Sequence, residues 1–186
     1  LHLVKQGRVD PDRIAMFGWS YGGYAALIAA SREDQIYQCV IAGAAVTDPD
    51  MQMDYYRYRI RGSAKIEQLT TWDDAVSPIK EVDKINVPML IVHGDNDQRV
   101  PPEHFDKYID ALDRAGVDYK KLILEDADHF SNTLFYHHKI SLYENMLAFL
   151  GNDCALKEES PTIANLDVEI PIQSNAREKP RQHLNT

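Results

Sequence analysis

Three residue types that cooperate in acyl transfer stand in order along this chain: Ser20, Asp97 and His129. Ser20 lies in Gly18-Trp19-Ser20-Tyr21-Gly22, a Gly-x-Ser-x-Gly pattern with a further glycine, Gly23. A serine hydroxyl is a weak nucleophile at neutral pH. It needs a base to take its proton and an acid to orient that base and stabilise its cation. The pattern sets the serine on a tight turn between a strand and a helix. Glycines at the flanking positions are expected to avoid collisions with neighbouring backbone, and the N–H of Tyr21, at the helix start, is expected to face a developing oxyanion.

Acid and base are expected beyond later strands of the same sheet, in the order Ser, acid, His. Asp97 follows the apolar run VPMLIV by five residues, in His93-Gly94-Asp95-Asn96-Asp97. His129 follows KLILE, in Glu125-Asp126-Ala127-Asp128-His129-Phe130. Asp95 is the competing acid because it is nearer the strand end; it also reads as a turn-forming aspartate. In this scheme Ser20 attacks a carbonyl, His129 takes and returns the proton, and Asp97 holds the imidazole tautomer. Turnover then falls at acid pH as His129 takes up a proton.

The other candidate groups have plainer readings. His93 reads as a hydrogen-bonded structural residue; His104, His137 and His138 read as surface or boundary positions on helices. Asp126 and Asp128 read as solvated loop charges. No His, Cys or carboxylate grouping has metal-ligand spacing, and GWSYGG is neither a P-loop nor a dinucleotide fingerprint, so no cofactor is expected. The two cysteines, Cys39 and Cys154, make neither a disulfide framework nor a metal set, and Cys39 in CVIAGAAV reads as a buried thiol. Tyr55, Tyr56, Arg57, Tyr58 and Arg59 read as a partly buried packing cluster, with recognition of a peptide carbonyl or carboxylate as the alternative.

The elements that must carry these residues alternate between strand and helix. RIAMF (13–17) reads as a short buried strand, QCVIAGAAV (38–46) as a second, apolar strand, and VPMLIV (87–92) and KLILE from Lys121 as the third and fourth. Pro11 and Asp12 punctuate the approach to the first. Gly22 to about Ser31 reads as a helix of small residues. Phe105, Tyr108, Ile109 and Leu112 mark one face of a helix over 102–115, stopped by Gly116. A last helix over 131–150 is expected to turn Ile140, Tyr143, Leu147 and Leu150 inward and to end at Gly151. The stretch from Thr47 to about Lys84 is too long for a plain connection and is expected to hold short helices and part of a substrate cavity. Such alternation implies an α/β fold with a parallel sheet, the functional groups gathering beyond the strands' carboxyl ends. From Asn152 the polar, proline-containing tail reads as disordered, with an edge strand over Leu166, Val168, Ile170 and Ile172 as the alternative.

The 186 residues suffice for one domain, and 44% hydrophobic with 26% charged is an ordinary globular balance. The net charge of −9, without a basic stripe, argues against nucleic-acid or anionic-membrane partners. No apolar run approaches the ~20 residues of a bilayer span. The chain starts at Leu1 without a signal-peptide pattern, and it is expected to be the C-terminal part of a longer protein.

From about Val9 to Leu150 the chain resembles the C-terminal catalytic domain of the prolyl oligopeptidase family of serine peptidases, in its dipeptidyl-peptidase and acylaminoacyl-peptidase branches. The marks are DPDRIAMFGWSYGGY, SPI at Ser77, VPMLIVHGDNDQRVP and EDADH. The resemblance implies an α/β-hydrolase fold over residues 1–151, short peptide substrates, often cleaved after proline, and an N-terminal β-propeller that restricts access to the site. Its HGxxDxxVP pattern assigns the acid to Asp97. It further implies that Tyr21 supplies an oxyanion-hole amide and borders the pocket for the residue before the scissile bond, with Val100 and, as a weaker match, Val46 as further walls. The usual domain has about eight strands against four here, so N-terminal strands and a second oxyanion donor are expected to precede this chain. An esterase using the same triad and a non-catalytic binding module on the same fold are the competing functions.

Overall fold

The computed structural model describes residues 2–59, 62, 75–130 and 135–154. Four strands lie in space in their sequence order: β1 (Ala15–Trp19), β2 (Cys39–Gly43), β3 (Met89–Gly94) and β4 (Tyr119–Leu124). All neighbouring pairs are parallel, with Phe17 opposite Ile41, Ile41 opposite Leu90, and Val92 opposite Leu122. The connections carry the helices: α1 (His2–Lys5), α2 (Tyr21–Ala30), α3 (Pro49–Tyr56), α4 (Glu103–Ala115) and α5 (Tyr136–Asn152).

The central strands are apolar without alternation because both of their faces are covered. Val40 and Ala42 of β2, with Met89 and Ile91 of β3, pack against Leu27 of α2 and Phe105, Tyr108 and Leu112 of α4. The residues between them, Cys39, Ile41, Leu90 and Val92, face the other way, onto Leu142 and Phe149 of α5. The sheet is therefore the middle of three layers. The outer strands differ: every residue of β2 and β3 is buried, whereas β1 leaves Phe17 45% exposed.

Several expectations need correcting. Cys39 is not a free thiol. It forms a disulfide with Cys154 across 115 residues, Cα–Cα 5.3 Å, and both residues are buried in the α5 side of the core. Two lone cysteines give no spacing signal, so only the fold reveals that the chain returns to β2 at its far end. Asn152 to Cys154 consequently belong to the domain and not to a tail. Gly151 does not stop α5, which continues to Asn152. Of the inward face expected for α5 only Leu150 packs against the core: Tyr143 and Leu147 are 54% and 70% exposed, and Ile140 lies at 36%, while His138, Leu142 and Phe149 are the buried residues. Apolar residues recur on two faces of this helix, so periodicity alone selected the wrong one.

Other boundaries move less. β1 begins two residues later than expected and runs through Trp19. β2 is shorter, because Ala44 adopts a positive φ of 45° that ends the strand. Gly116, also left-handed, terminates α4 as expected. The stretch from Thr47 contains α3 and short 3-10 turns at Pro78–Lys80 and Val82–Lys84. Its residues 60–61 and 63–74, the first turn expected for the last helix (131–134), and the suggested edge strand in the tail lie outside the described residues.

Candidate active site

Ser20 occupies the single position between the end of β1 and the start of α2. Its backbone has φ 59° and ψ −118°, a conformation costly for any residue with a side chain and persistent only where surroundings enforce it. The Ser20 amide donates to the Gly43 carbonyl (2.8 Å), and its carbonyl accepts from the Tyr24 amide (3.0 Å), so the neighbouring strand β2 and the helix α2 hold the turn. Gly18 is required by close approach: a Cβ there would overlap the Gly22 carbonyl. Gly22 itself has no neighbour within 4 Å of where its Cβ would sit, so the collision expected at that position does not exist. Tyr21 is the first residue of α2, and its amide belongs to the helix's first turn, where N–H groups have no intrahelical acceptor.

The turns after β3 and β4 bring two further groups to Ser20. His129 Nε2 lies 2.8 Å from Ser20 Oγ, and His129 Nδ1 lies 2.6 Å from Asp97 Oδ2. Asp97 and His129 are 1% and 5% exposed. The other carboxylate oxygen of Asp97 accepts from the amides of Arg99 (2.8 Å) and Val100 (2.9 Å), which pins the carboxylate in its own turn. The competing acid, Asp95, is exposed and is not in this chain of hydrogen bonds. The two turns are fastened together. Asn96 N–H donates to the Ala127 carbonyl (3.0 Å), and a Cβ on Gly94 would overlap that same carbonyl. Trp19, beside Ser20, donates its indole N–H to the His129 carbonyl (3.1 Å). Sequence reasoning gave Trp19 no role, because a tryptophan between glycine and serine carries no pattern of its own.

His93, read as structural, is 3% exposed, and its Nε2 lies 2.9 Å from the Val100 carbonyl and 3.8 Å from Asp97 Oδ2. Burial pushes its pKa down, so the ring is neutral and donates Nε2–H to the carbonyl. His104 and His138 are not the surface positions expected of them. His104 is fully buried, accepts from the Thr47 amide at Nδ1 (3.2 Å), and is pushed down to about 3, chiefly by burial. His138 is 6% exposed and reaches the Glu125 carbonyl (2.9 Å), at the base of the turn that carries His129. His137 lies 3.1 Å from it, nitrogen to nitrogen. Asp126 and Asp128 are exposed, as expected.

A cavity of about 200 Å³ opens beside Ser20 and Tyr21, lined further by Val46, Gln52, Met53, Tyr56, Arg99 and Val100. All three sequence-derived wall residues, Tyr21, Val46 and Val100, line it. Gln52, Met53 and Arg99 were missed: helix α3 delivers the first two together with Tyr56, and its Tyr55 and Tyr56 hydroxyls donate to the Gln98 and Arg99 carbonyls (2.8 and 3.0 Å). The aromatic-basic run is thus a packing cluster in part, since Arg59 covers the Tyr55 ring at 3.7 Å, whereas Tyr58 is 75% exposed. Among the described residues no group of three His, Cys, Asp or Glu could hold a metal ion, and no helix is long and apolar enough to cross a membrane.

The arrangement is able to move a proton from Ser20 to His129 while Asp97 balances the charge, which is the chemistry of nucleophilic acyl transfer. The chain is 30% identical over 157 residues to human prolyl endopeptidase FAP, covering 84% of this chain and 20% of that protein. It is 29% identical to rat inactive dipeptidyl peptidase 10, covering 85% of this chain and 19% of that protein. The chain thus spans about a fifth of the length of these curated relatives. The structure of an acylaminoacyl peptidase from Pyrococcus horikoshii superposes with a TM-score of 0.68 at 19% identity, covering 86% of this chain and 27% of that one, which shows the shared α/β-hydrolase fold. The family model of the prolyl oligopeptidase family matches residues 1–156, and the chain belongs to that family of serine peptidases.

Proposed function

We propose that this chain supplies the nucleophile, base, acid and one oxyanion donor of a serine peptidase acting on short peptides. One observation carries the reading: the unbroken hydrogen-bond chain from Ser20 Oγ through both nitrogens of His129 to Asp97, at 2.8 and 2.6 Å. Ser20 Oγ attacks the scissile carbonyl as its proton passes to His129 Nε2. The Tyr21 amide stabilises the oxyanion. The C–N bond then breaks, and the His129 proton goes to the leaving amine. Water repeats the sequence on the acyl-enzyme, releasing the acid and restoring Ser20.

The cavity walled by Tyr21, Val46 and Val100 takes the side chain before the scissile bond, and its small volume suits a compact ring such as proline. Residues 1–151, with the disulfide-linked Cys154, form the C-terminal part of a catalytic domain. Preceding residues supply the remaining strands, a second oxyanion donor and a β-propeller that limits access to short peptides. The Cys39–Cys154 disulfide favours an oxidising compartment.

The test compares turnover of a Gly-Pro anilide and a short acyl ester by the native full-length protein and by Ser20→Ala. Anilide cleavage that is lost in Ser20→Ala is the expected result. Ester cleavage alone would favour the esterase reading. No turnover of either would favour a non-catalytic role, as the name inactive dipeptidyl peptidase 10 describes for that relative.

A further inference from the structure

The turn that carries Asp97 leaves β3 at Gly94 and reaches Val100, and this last residue serves two purposes. The Val100 amide donates to Asp97 Oδ1 at 2.9 Å, and Val100 walls the cavity beside Ser20. The position of one residue therefore bears on both the acid and the pocket. Its carbonyl meets His93 Nε2 at 2.9 Å. A carbonyl oxygen only accepts, so Nε2 carries a proton and donates it into that bond. His93 is well placed to hold what it bonds. It belongs to β3, all of whose residues are buried, and lies opposite Ile123 of β4. Its ring faces Phe105 of α4, with 5.9 Å between ring centres.

The same Nε2 lies 3.8 Å from Asp97 Oδ2, outside hydrogen-bonding reach. The ring thus acts on the carboxylate through the Val100 backbone and not by direct contact. The other ties of the turn lead elsewhere: Asn96 bonds to the turn after β4, and the Gln98 and Arg99 carbonyls accept from α3. His93 fastens the end of the turn back to the sheet. We propose that His93 is a positioning residue: through the Val100 backbone it keeps Asp97 aligned with His129 and keeps the Val100 wall against the residue before the scissile bond. This rests on the reading of Ser20, His129 and Asp97 as the reacting groups and of the cavity as the seat of that residue. It deepens that reading, because it makes the rate of acyl transfer and the selectivity of the cavity depend on the same hydrogen bond.

The test uses the native full-length protein, with sites counted by exhaustive fluorophosphonate labelling of Ser20. His93→Phe fills the space of the ring without a donor, whereas His93→Gln sets an amide N–H as many bonds from Cβ as Nε2. His93→Phe is expected to lower kcat per site for a Gly-Pro anilide about tenfold and to reduce severalfold the preference for Gly-Pro over Gly-Ala anilide. His93→Gln is expected to keep both near wild type. In an Asp97→Asn background His93→Phe should leave kcat unchanged, because its effect on kcat runs through the acid. An equal loss of kcat in both backgrounds is what a merely structural role gives, and it overturns the proposal. A change in kcat without a change in preference, or the reverse, also overturns it. Should His93→Phe not fold, His93→Asn, whose amide stops one bond short of Nε2, takes its place under the same expectations. Failure of the probe to label Ser20 in the wild type would remove the nucleophile, and this proposal with it; labelled Ser20 with unchanged kcat and preference in the variant would remove this proposal alone.

Discussion

The two sides of the cleft at Ser20 are built differently. On one side the turns after β3 and β4 leave nothing unpaired around the reacting groups: both Asp97 oxygens and both His129 nitrogens are engaged, Asn96 bonds the two turns together, Trp19 bonds the elbow to the second, and His93 of β3 braces the first at the Val100 carbonyl. On the other side, two buried polar atoms lack a partner among the described residues: Gln52 Oε1 on α3, and His104 Nε2 on α4, whose ring meets Thr47 beyond the end of β2. Proton transfer needs groups already in place, since reorganisation at the moment of reaction costs rate. The difference separates a pre-organised chemical side from a side whose polar groups are incompletely satisfied.

Substitutions on the chemical side should have the largest effects. Ser20→Ala should remove nearly all turnover, and Asp97→Asn should lower kcat by about 10⁴-fold, because the imidazole loses the partner that fixes its tautomer. Asp95→Asn should change kcat little; if it matched Asp97→Asn in steady-state assays, the assignment of the acid would fail. Next in size is the disulfide that ties the end of α5 to β2. Replacing Cys39 and Cys154 by alanine should cost about 2–5 kcal/mol in denaturant unfolding.

The incompletely satisfied side should show itself in acid. The pKa of His104 is held far below its ordinary 6.5, at about 3, so as pH falls below 6.5 the unfolded chain binds a proton that the folded chain refuses. The contribution to stability is full above that pH and is lost progressively toward pH 3, roughly 2 kcal/mol between pH 7 and pH 5. Thermal melts of His104→Asn, whose amide oxygen replaces Nδ1 as acceptor for Thr47, should depend less on pH over this range than those of the wild type. An identical dependence would remove His104 from the account. Smallest is a contrast within the elbow. Gly18→Ala must displace backbone and should destabilise by about 1–3 kcal/mol, whereas Gly22→Ala, inside a helix with open space around it, should be neutral or stabilising by up to about 1 kcal/mol.

The same contrast explains what the sequence made legible. Ser20, Asp97 and His129 each sit at a strand end within a local pattern, and local patterns survive folding. Four parallel strands and the inward face of α4 were readable for the same reason: the run or the periodicity was strong and single. The face of α5 was not, because Tyr143 and Leu147 repeat as regularly as Leu142 and Phe149, and only the position of the sheet decides between them. Gln52, Trp19, His104 and the Cys39–Cys154 bond were illegible because each acquires its role from a partner distant in sequence: Arg99, His129, Thr47 and a cysteine 115 residues away.

The central claim is that Ser20 is a nucleophile activated by His129 and Asp97. Its most direct test is fluorophosphonate labelling, mapped by peptide mass spectrometry, on this chain and on a version extended N-terminally, each with Ser20→Ala and Asp97→Asn counterparts. The account predicts covalent modification at Ser20 in the extended protein, abolished in Ser20→Ala and strongly slowed in Asp97→Asn. Labelling of the short chain as well would mean that the four strands described here assemble the site unaided. Modification at another residue, or none in the extended protein, would contradict the account.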